Sequence, residues 1–326
     1  MKSFVRAIFS CALTVVVLLP GAAAAADPYP SKPIRLIVPY GPGGSSDFLA
    51  RMLGEHLSKA MGEAVVVDNK PGASGMLGTD LAARAAPDGY TILMGFAAEI
   101  AIAPALFPKL PYDPAKDLIP ITIAAAYPLV LVSTPKLGLN TIDDVVAQAR
   151  SSGGNLAYAS SGAGSPAHIA FELLARRKNI TMIHVPYKGA GQALTDVLGG
   201  HTPMFFSSVA PVVGNIKTGQ LKAVAMSTAR RSPTLPDVPG MADAGVSNFD
   251  LDTWNGVFVP TGTPPEIVAR LNAEITKIMQ RPDITQRLSD AGAHFTPRTP
   301  EQASIFIRAE VVKFRQVVQE LGIKPD

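Results

Sequence analysis

Short apolar runs alternate with stretches of helical periodicity along most of the chain. Ile34–Val38 has the length of a short buried strand, and Phe48, Leu49, Met52, Leu53 and Leu57 then recur at helical spacing up to Met61-Gly62. Ala64–Val67 predicts a second strand, Met76–Ala86 a helix and Tyr90–Met94 a third strand. Strands alternating with helices imply a parallel, doubly wound sheet, whose ligands sit at the carboxyl ends of its strands. Ile119–Ala126 and Leu129–Ser133 read as two extended segments between domains, within a region punctuated by prolines from Pro104 to Pro128. A second series follows: Thr141–Arg150 helix, Leu156–Ala159 strand, a helix from Pro166 to Arg177, Met182–Val185 strand, a helix to Leu198, then strands at Met204–Phe206 and Leu221–Met226. Leu251–Val259 is extended, Pro264-Pro265 opens a helix, and helices at Asp283–Ala291 and Pro300–Leu321 are expected to cover the first domain.

Two of the strand-to-helix junctions carry glycine and serine. The first is Val38-Pro39-Tyr40-Gly41-Pro42-Gly43-Gly44-Ser45-Ser46-Asp47, with Ser45, Ser46 and Asp47 as candidate N-caps. The second is Ser160-Ser161-Gly162-Ala163-Gly164-Ser165, where Ser165 caps a helix beginning at Pro166. A helix N-terminus exposes unpaired N–H groups and about half a positive charge, and glycines admit close approach, so such a turn suits an anion. A tight βα loop that binds nothing has the same local signature. The recurrence of the unit, in what read as different domains, suggests two helix ends facing one anion across a cleft.

At 326 residues the chain is long enough for two domains, and 47% hydrophobic content supports a large core. The formal charge of +3 gives no case for nucleic acid. Lys2 and Arg6 precede the apolar run Cys11–Leu19 and the alanine stretch ending Ala24-Ala25-Ala26-Asp27, the pattern of a secretory signal peptide cleaved after Ala26. The single cysteine, Cys11, lies in that leader, so the mature chain has no disulfide scaffold and no cysteine nucleophile or ligand. His56, His184, His201 and His294 lack metal-ligand spacing, and Gly41–Gly44 matches neither a phosphate loop nor a dinucleotide fingerprint, so no metal or cofactor is expected. Ser161–Ser165 is not a nucleophile elbow, and His168 falls in the first helical turn, where capping or ligand contact suits it better than base chemistry.

These stretches together resemble the Bug family, the periplasmic solute receptors of tripartite tricarboxylate transporters. The resemblance rests on Pro39–Asp47 through Arg51, Asn69-Lys70-Pro71-Gly72-Ala73 and Pro87-Asp88-Gly89-Tyr90-Thr91. It continues with Ser161–Ser165 and His168, Val185-Pro186-Tyr187-Lys188-Gly189, Leu235–Pro239, Trp254-Asn255-Gly256 and Gly262-Thr263-Pro264. It implies a type II periplasmic binding protein: two doubly wound α/β lobes joined by a two-segment hinge, with lobe I formed by residues 27–124 and 236–326 and lobe II by 125–235. It implies a monomer that holds a small carboxylate, often a dicarboxylate, on backbone amides, and delivers it to membrane permease subunits. By correspondence, Tyr40, Gly41, Gly43, Gly44, Ser45, Ser46 and Asp47 face Ser160, Ser161, Gly162, Gly164, Ser165 and His168 around the ligand, with Ser207 in the wall of lobe II.

The chain departs from that pattern at Ala97-Ala98-Glu99 and at Ala103, where relatives carry small polar residues and an asparagine. Glu99 is expected either to accept hydrogen bonds from a donor on the ligand or to turn out to a surface Lys or Arg, leaving Ala97 and Ala98 to line the pocket. Two further roles fit the same residues: presentation of ligand to a two-component sensor kinase, and an exported hydrolase.

Overall fold

The structure, a computed structural model, describes residues 29–323. The expected signal peptide, 1–26, lies outside them. In chain order the elements are β1 (Ile34–Val38), α1 (Ser45–Met61), β2 (Val65–Asn69), α2 (Met76–Ala83), β3 (Thr91–Phe96), α3 (Ala103–Leu106), β4 (Leu118–Ser133), α4 (Ile142–Ser151) and β5 (Ala157–Ser160). They continue with α5 (Pro166–Lys178), β6 (Ile183–Pro186), α6 (Ala190–Gly199), β7 (Met204–Ser208), α7 (Val213–Lys217), β8 (Lys222–Met226) and β9 (Asp252–Pro260). Helices α8 (Pro265–Met279), α9 (Pro282–Asp290) and α10 (Pro300–Leu321) close the chain.

The strands form two half-sheets sharing one member. In the first the order is β2-β1-β3-β9-β4, parallel from β2 to β3 and antiparallel at β9. In the second, β4 lies between β8 and β7, and β7 leads to β5 and β6. The two extended segments expected on either side of Pro128 are therefore a single strand. Its residues 118–128 pair with β9, and 129–133 pair with β7 and β8. Proline has no N–H to give a ladder. Pro128 is tolerated mid-strand because it sits where β4 changes partners, at the pair Pro128–Asp252 before Leu129–Ser208.

The chain also crosses between halves at 227–251, and that crossing is stitched to the same point of β4. Leu129 N–H donates to Ser227 Oγ at 2.8 Å, Ser227 N–H returns to Leu129 O at 2.8 Å, and Ser227 Oγ donates to Leu251 O at 2.6 Å. Helix α10 is pinned from the first half by Trp254, whose Nε1–H donates to Glu310 Oε2 at 2.9 Å. It also reaches the second half through the Arg177–Glu320 ion pair. Trp254 is a core residue and does not face the region between the halves.

Both halves turn the carboxyl ends of their parallel strands toward the region between them, and the halves touch there through glycines. A Cβ on Gly191, the second residue of α6, would lie 2.5 Å from Pro42 O, and one on Gly43 would lie 3.7 Å from Gly191 Cα. A Cβ on Gly162 would lie 2.6 Å from Ser74 Oγ. The absent side chains let backbone close on backbone. Replacing Gly191 by Ala should leave the second half folded, since alanine suits a helix better by about 1 kcal/mol, while blocking this approach. We expect unchanged circular dichroism and a larger radius of gyration by X-ray scattering; a radius equal to wild type would show that the contact does not hold the halves together.

Candidate functional site

The site starts from how α1 begins. Its N-cap is Gly44, with extended φ −92° and ψ 177° and no side-chain capping bond. Ser45, Ser46 and Asp47, the candidate caps, are instead inside the first turn. The backbone N–H groups of Gly44, Ser45, Ser46 and Asp47 consequently have no backbone partner among the described residues.

The two serine hydroxyls are held by residues from distant strands. Asn255 on β9 donates from Nδ2 to Ser46 Oγ at 2.7 Å and to Gly95 O at 3.1 Å. The Gly95 carbonyl only accepts, which fixes the amide so that Asn255 Oδ1 receives Tyr127 OH, at 2.5 Å. Tyr127 has then spent its proton, so the 2.5 Å contact with Ser45 Oγ is donated by Ser45. Ser46, which accepts from Asn255, keeps its proton for another acceptor.

Asp47 is the anion that such a site should not show to an anionic ligand, and it is tied off. Its carboxylate accepts from Gly43 N–H at 3.2 Å, Arg51 Nε at 3.0 Å and Asn69 Nδ2 at 3.1 Å. Burial alone raises its pKa; the bonds from Arg51, Gly43 and Asn69 outweigh that and hold it below the usual range.

The second turn differs. Gly162 N–H donates to Ser160 Oγ at 3.1 Å, Gly164 N–H to His168 Nδ1 at 3.0 Å, Ser165 N–H to Gly162 O at 3.1 Å and His168 N–H to the Ser165 cap at 3.3 Å. Ser160, fully buried, also meets His184 Nε2 at 2.6 Å, and His168 stacks on His184 with centroids 3.9 Å apart. Burial, with His184 alongside, pushes His168 down to about 3, so it stays a neutral acceptor with its proton on Nε2. The amides of Gly162 and Gly164, expected to face the ligand, are spent in shaping the turn.

Between the halves lies a cavity of about 40 Å³ open to the centre of a water molecule, room for roughly three waters. Of the sequence candidates, Tyr40, Gly44, Ser45, Ser46, Asp47 and Ser161 are on its wall. Gly41 and Gly43 sit in the contact between halves, with a Cβ on Gly189 falling 3.4 Å from Gly41 N. Ser160, Gly162, Gly164, Ser165 and His168 lie behind Ser161, and Ala97 and Ala98 are buried in the cores. Ser207 is buried with an unpartnered hydroxyl off the wall, and its neighbour Ser208 lines the cavity. Sequence reasoning missed Tyr127, Phe96, Leu129, Phe205 and Phe206 on the wall, and Asn255 behind it. Asn255 lay within a stretch carrying the resemblance; nothing local marked the others. Among the described residues, no Lys or Arg lines the cavity.

Glu99 takes neither expected course. It is fully buried under Tyr40, in a wide helical turn at Ala98–Ile102, and makes no ion pair among the described residues. Phe96 N–H donates to Glu99 Oε1 at 2.6 Å. Tyr40 OH lies 2.8 Å from Glu99 Oε2 and 3.0 Å from Ser74 O. Tyr40 has one proton and the Ser74 carbonyl has none, so both contacts are satisfied when Glu99 carries a proton and donates it to Tyr40. Burial, only partly offset by the Tyr40 and Phe96 bonds, pushes Glu99 up to about 8. Tyr112, donating to the Glu99 carbonyl at 2.9 Å, and Tyr127 are the other titratable groups nearby.

A carboxyl raised in the folded state stabilises most below the ordinary carboxylate range, because the unfolded chain then sheds its proton first as pH rises. That stability is lost toward and through pH 8, at up to about 1.4 kcal/mol per pH unit. Chemical denaturation from pH 5 to pH 9 should show wild type losing ground steadily to Glu99→Gln. Parallel pH profiles would mean that Glu99 is ionised throughout.

A family model described as the tripartite tricarboxylate transporter family receptor matches residues 49–323. Protein BugT of Bordetella pertussis is 39% identical over 300 residues, covering 92% of this chain and 92% of BugT. The structure of R. palustris Rpa4515 with adipate has TM-score 0.89 at 30% identity, over 91% of this chain and 100% of that one. The periplasmic binding protein BugD has TM-score 0.87 at 29% identity, again over 91% and 100%. By this match along most of its length, the chain belongs to the receptor family of the tripartite tricarboxylate transporters, whose members are periplasmic solute-binding proteins.

Proposed function

We propose that this protein captures a small carboxylate between its two lobes in the periplasm and delivers it to the membrane permease subunits of a tripartite tricarboxylate transporter. The observation that carries this is the uncapped α1 N-terminus, with the free Ser46 proton, on the wall of a cavity enclosed by both halves. The solved structure of R. palustris Rpa4515 with adipate supports a carboxylate as cargo.

The energetics suffice without a cation. A micromolar dissociation constant corresponds to about 8 kcal/mol. Each hydrogen bond to a charged group contributes about 1.5–3 kcal/mol. Three amides and the Ser46 hydroxyl reach that range together with burial of the carbon skeleton, against the cost of immobilisation. A ligand larger than the cavity enters when the lobes part, and 128–129 with 227–251 is where such motion would concentrate. The lobe bounds read from the sequence, 27–124 with 236–326 and 125–235, would put residues 125–128 in lobe II, although these pair with β9 and the change of partner comes at 128–129.

Enzymatic turnover forms no part of this function. Ser160, the serine that meets an imidazole, is fully buried off the cavity wall, and its hydroxyl is engaged with both N–H and C=O of Gly162.

The test uses protein stripped of ligand by unfolding and refolding, screened against carboxylates by thermal shift and then titrated calorimetrically. Ser46→Ala should weaken the best carboxylate by roughly ten- to a hundredfold, the loss of one charge-assisted bond. Ser45→Ala, whose proton goes to Tyr127, should cost less. Equal affinity in wild type and Ser46→Ala would move the anion elsewhere.

A further inference from the structure

We infer that the permease partner docks on the outward face of α10 through an acidic amphipathic helix; the inference rests on the proposed delivery to a permease and names the surface that serves it. Ile305, Arg308, Val312 and Arg315 follow one another at steps of three and four along α10, so they form one stripe. Ile305 is 60% exposed and Val312 53%. From Arg308 onward the stripe is one bank of a groove of about 640 Å³, and the other bank is the segment 104–115, with Phe107, Pro108 and Leu110. Apolar surface held open beside charge in this way is the mark of a protein contact.

The charge of the groove selects the partner. Arg308 and Arg315 have no ion-pair partner among the described residues: no acid stands three or four residues from either along α10, and the acids close by are taken, Glu310 by Trp254 and Lys313, and Asp113 by Lys116. Seven residues apart on one helix, the two arginines stand about 10 Å apart along its axis. A partner helix laid in the groove meets them with two acids at the same seven-residue spacing, and its apolar residues between those acids cover Val312, Phe107 and Leu110. The apolar contact supplies affinity, and the paired charges steer the encounter and fix the register.

The groove also depends on how the two halves sit. Its bank at 104–115 rests on the second half: a Cβ on Gly164 would lie 2.7 Å from Leu106 Cδ2 and 3.7 Å from Phe107 Cε2. Helix α10 reaches the same half through Arg177–Glu320. A partner seated in the groove therefore meets a shape set by the closure of the lobes, which lets it tell loaded receptor from empty.

The experiment measures uptake of the best carboxylate of the screen into proteoliposomes that hold the permease subunits, driven by added receptor. Arg308→Glu with Arg315→Glu should keep wild-type calorimetric affinity for that carboxylate, since neither arginine is near the cavity, and should lower uptake at limiting receptor by roughly tenfold or more. Lys217→Glu with Lys222→Glu, the same change of charge outside the groove, should leave uptake within about twofold of wild type. Undiminished uptake with the arginine variant, or an equal loss with the lysine variant, overturns the inference and leaves the receptor function standing. So does binding of wild type, lost in the arginine variant, to phosphatidylglycerol vesicles without permease, which would make the face a membrane contact. A wild-type dimer in scattering that the arginine variant dissolves would give the groove to a second copy of this chain instead. No uptake with wild type, in protein that binds the carboxylate, removes the delivery function and the inference with it.

Discussion

Everything at the site depends on one helix end being left open. Serine is a favoured cap that closes a helix's first turn with its side chain, as Ser165 does for α5, and a serine beside Gly44 had every local reason to do so. Here Gly44 takes the cap position and both serines are drawn away, Ser45 by Tyr127 and Ser46 by Asn255. The unmet N–H groups then face the cavity. The arrangement needs a rigid frame, because a solvated turn would pair those amides with water at no gain. Asp47 supplies part of it by clamping Gly43 N–H while Arg51 and Asn69 absorb its charge.

The frame extends across both halves through β4. That strand carries Tyr127 at the end of its β9 ladder and Leu129 at the start of its β7 ladder, so the element that joins the halves also lines the cavity on both sides. Ser227 fixes the second crossing to the same spot. Under the proposed function, motion of one half against the other would be concentrated beside the ligand. The glycine contacts between 41–43 and 189–191 let backbone approach backbone closely across the two halves.

How much was legible in sequence follows from how local each feature is. The Gly-rich turns, the Ser165 cap and the order of strands and helices all rest on short-range chemistry, and they are present in the structure. The single strand β4 was hidden because proline reads as a break, and only pairing shows that Pro128 sits where no ladder bond is needed. The fate of Ser46 was hidden by distance, since Asn255 stands 209 residues away. Glu99 was visible as an oddity, yet its burial beneath Tyr40 depends on how α10 and the 98–102 turn pack against the sheet. The spent amides of Gly162 and Gly164 were invisible because a glycine-serine turn looks the same whether its N–H groups face outward or inward.

The central claim is that the open end of α1, and not the turn before α5, holds the anion. Amide resonances report it directly, because an N–H that donates to a carboxylate moves downfield in the proton dimension. In protein labelled at glycine and serine, saturating carboxylate should shift Gly44, Ser45 and Ser46 strongly and leave Gly162 and Gly164 nearly in place. Large shifts at Gly162 and Gly164, with Gly44 to Ser46 unmoved, would contradict the account.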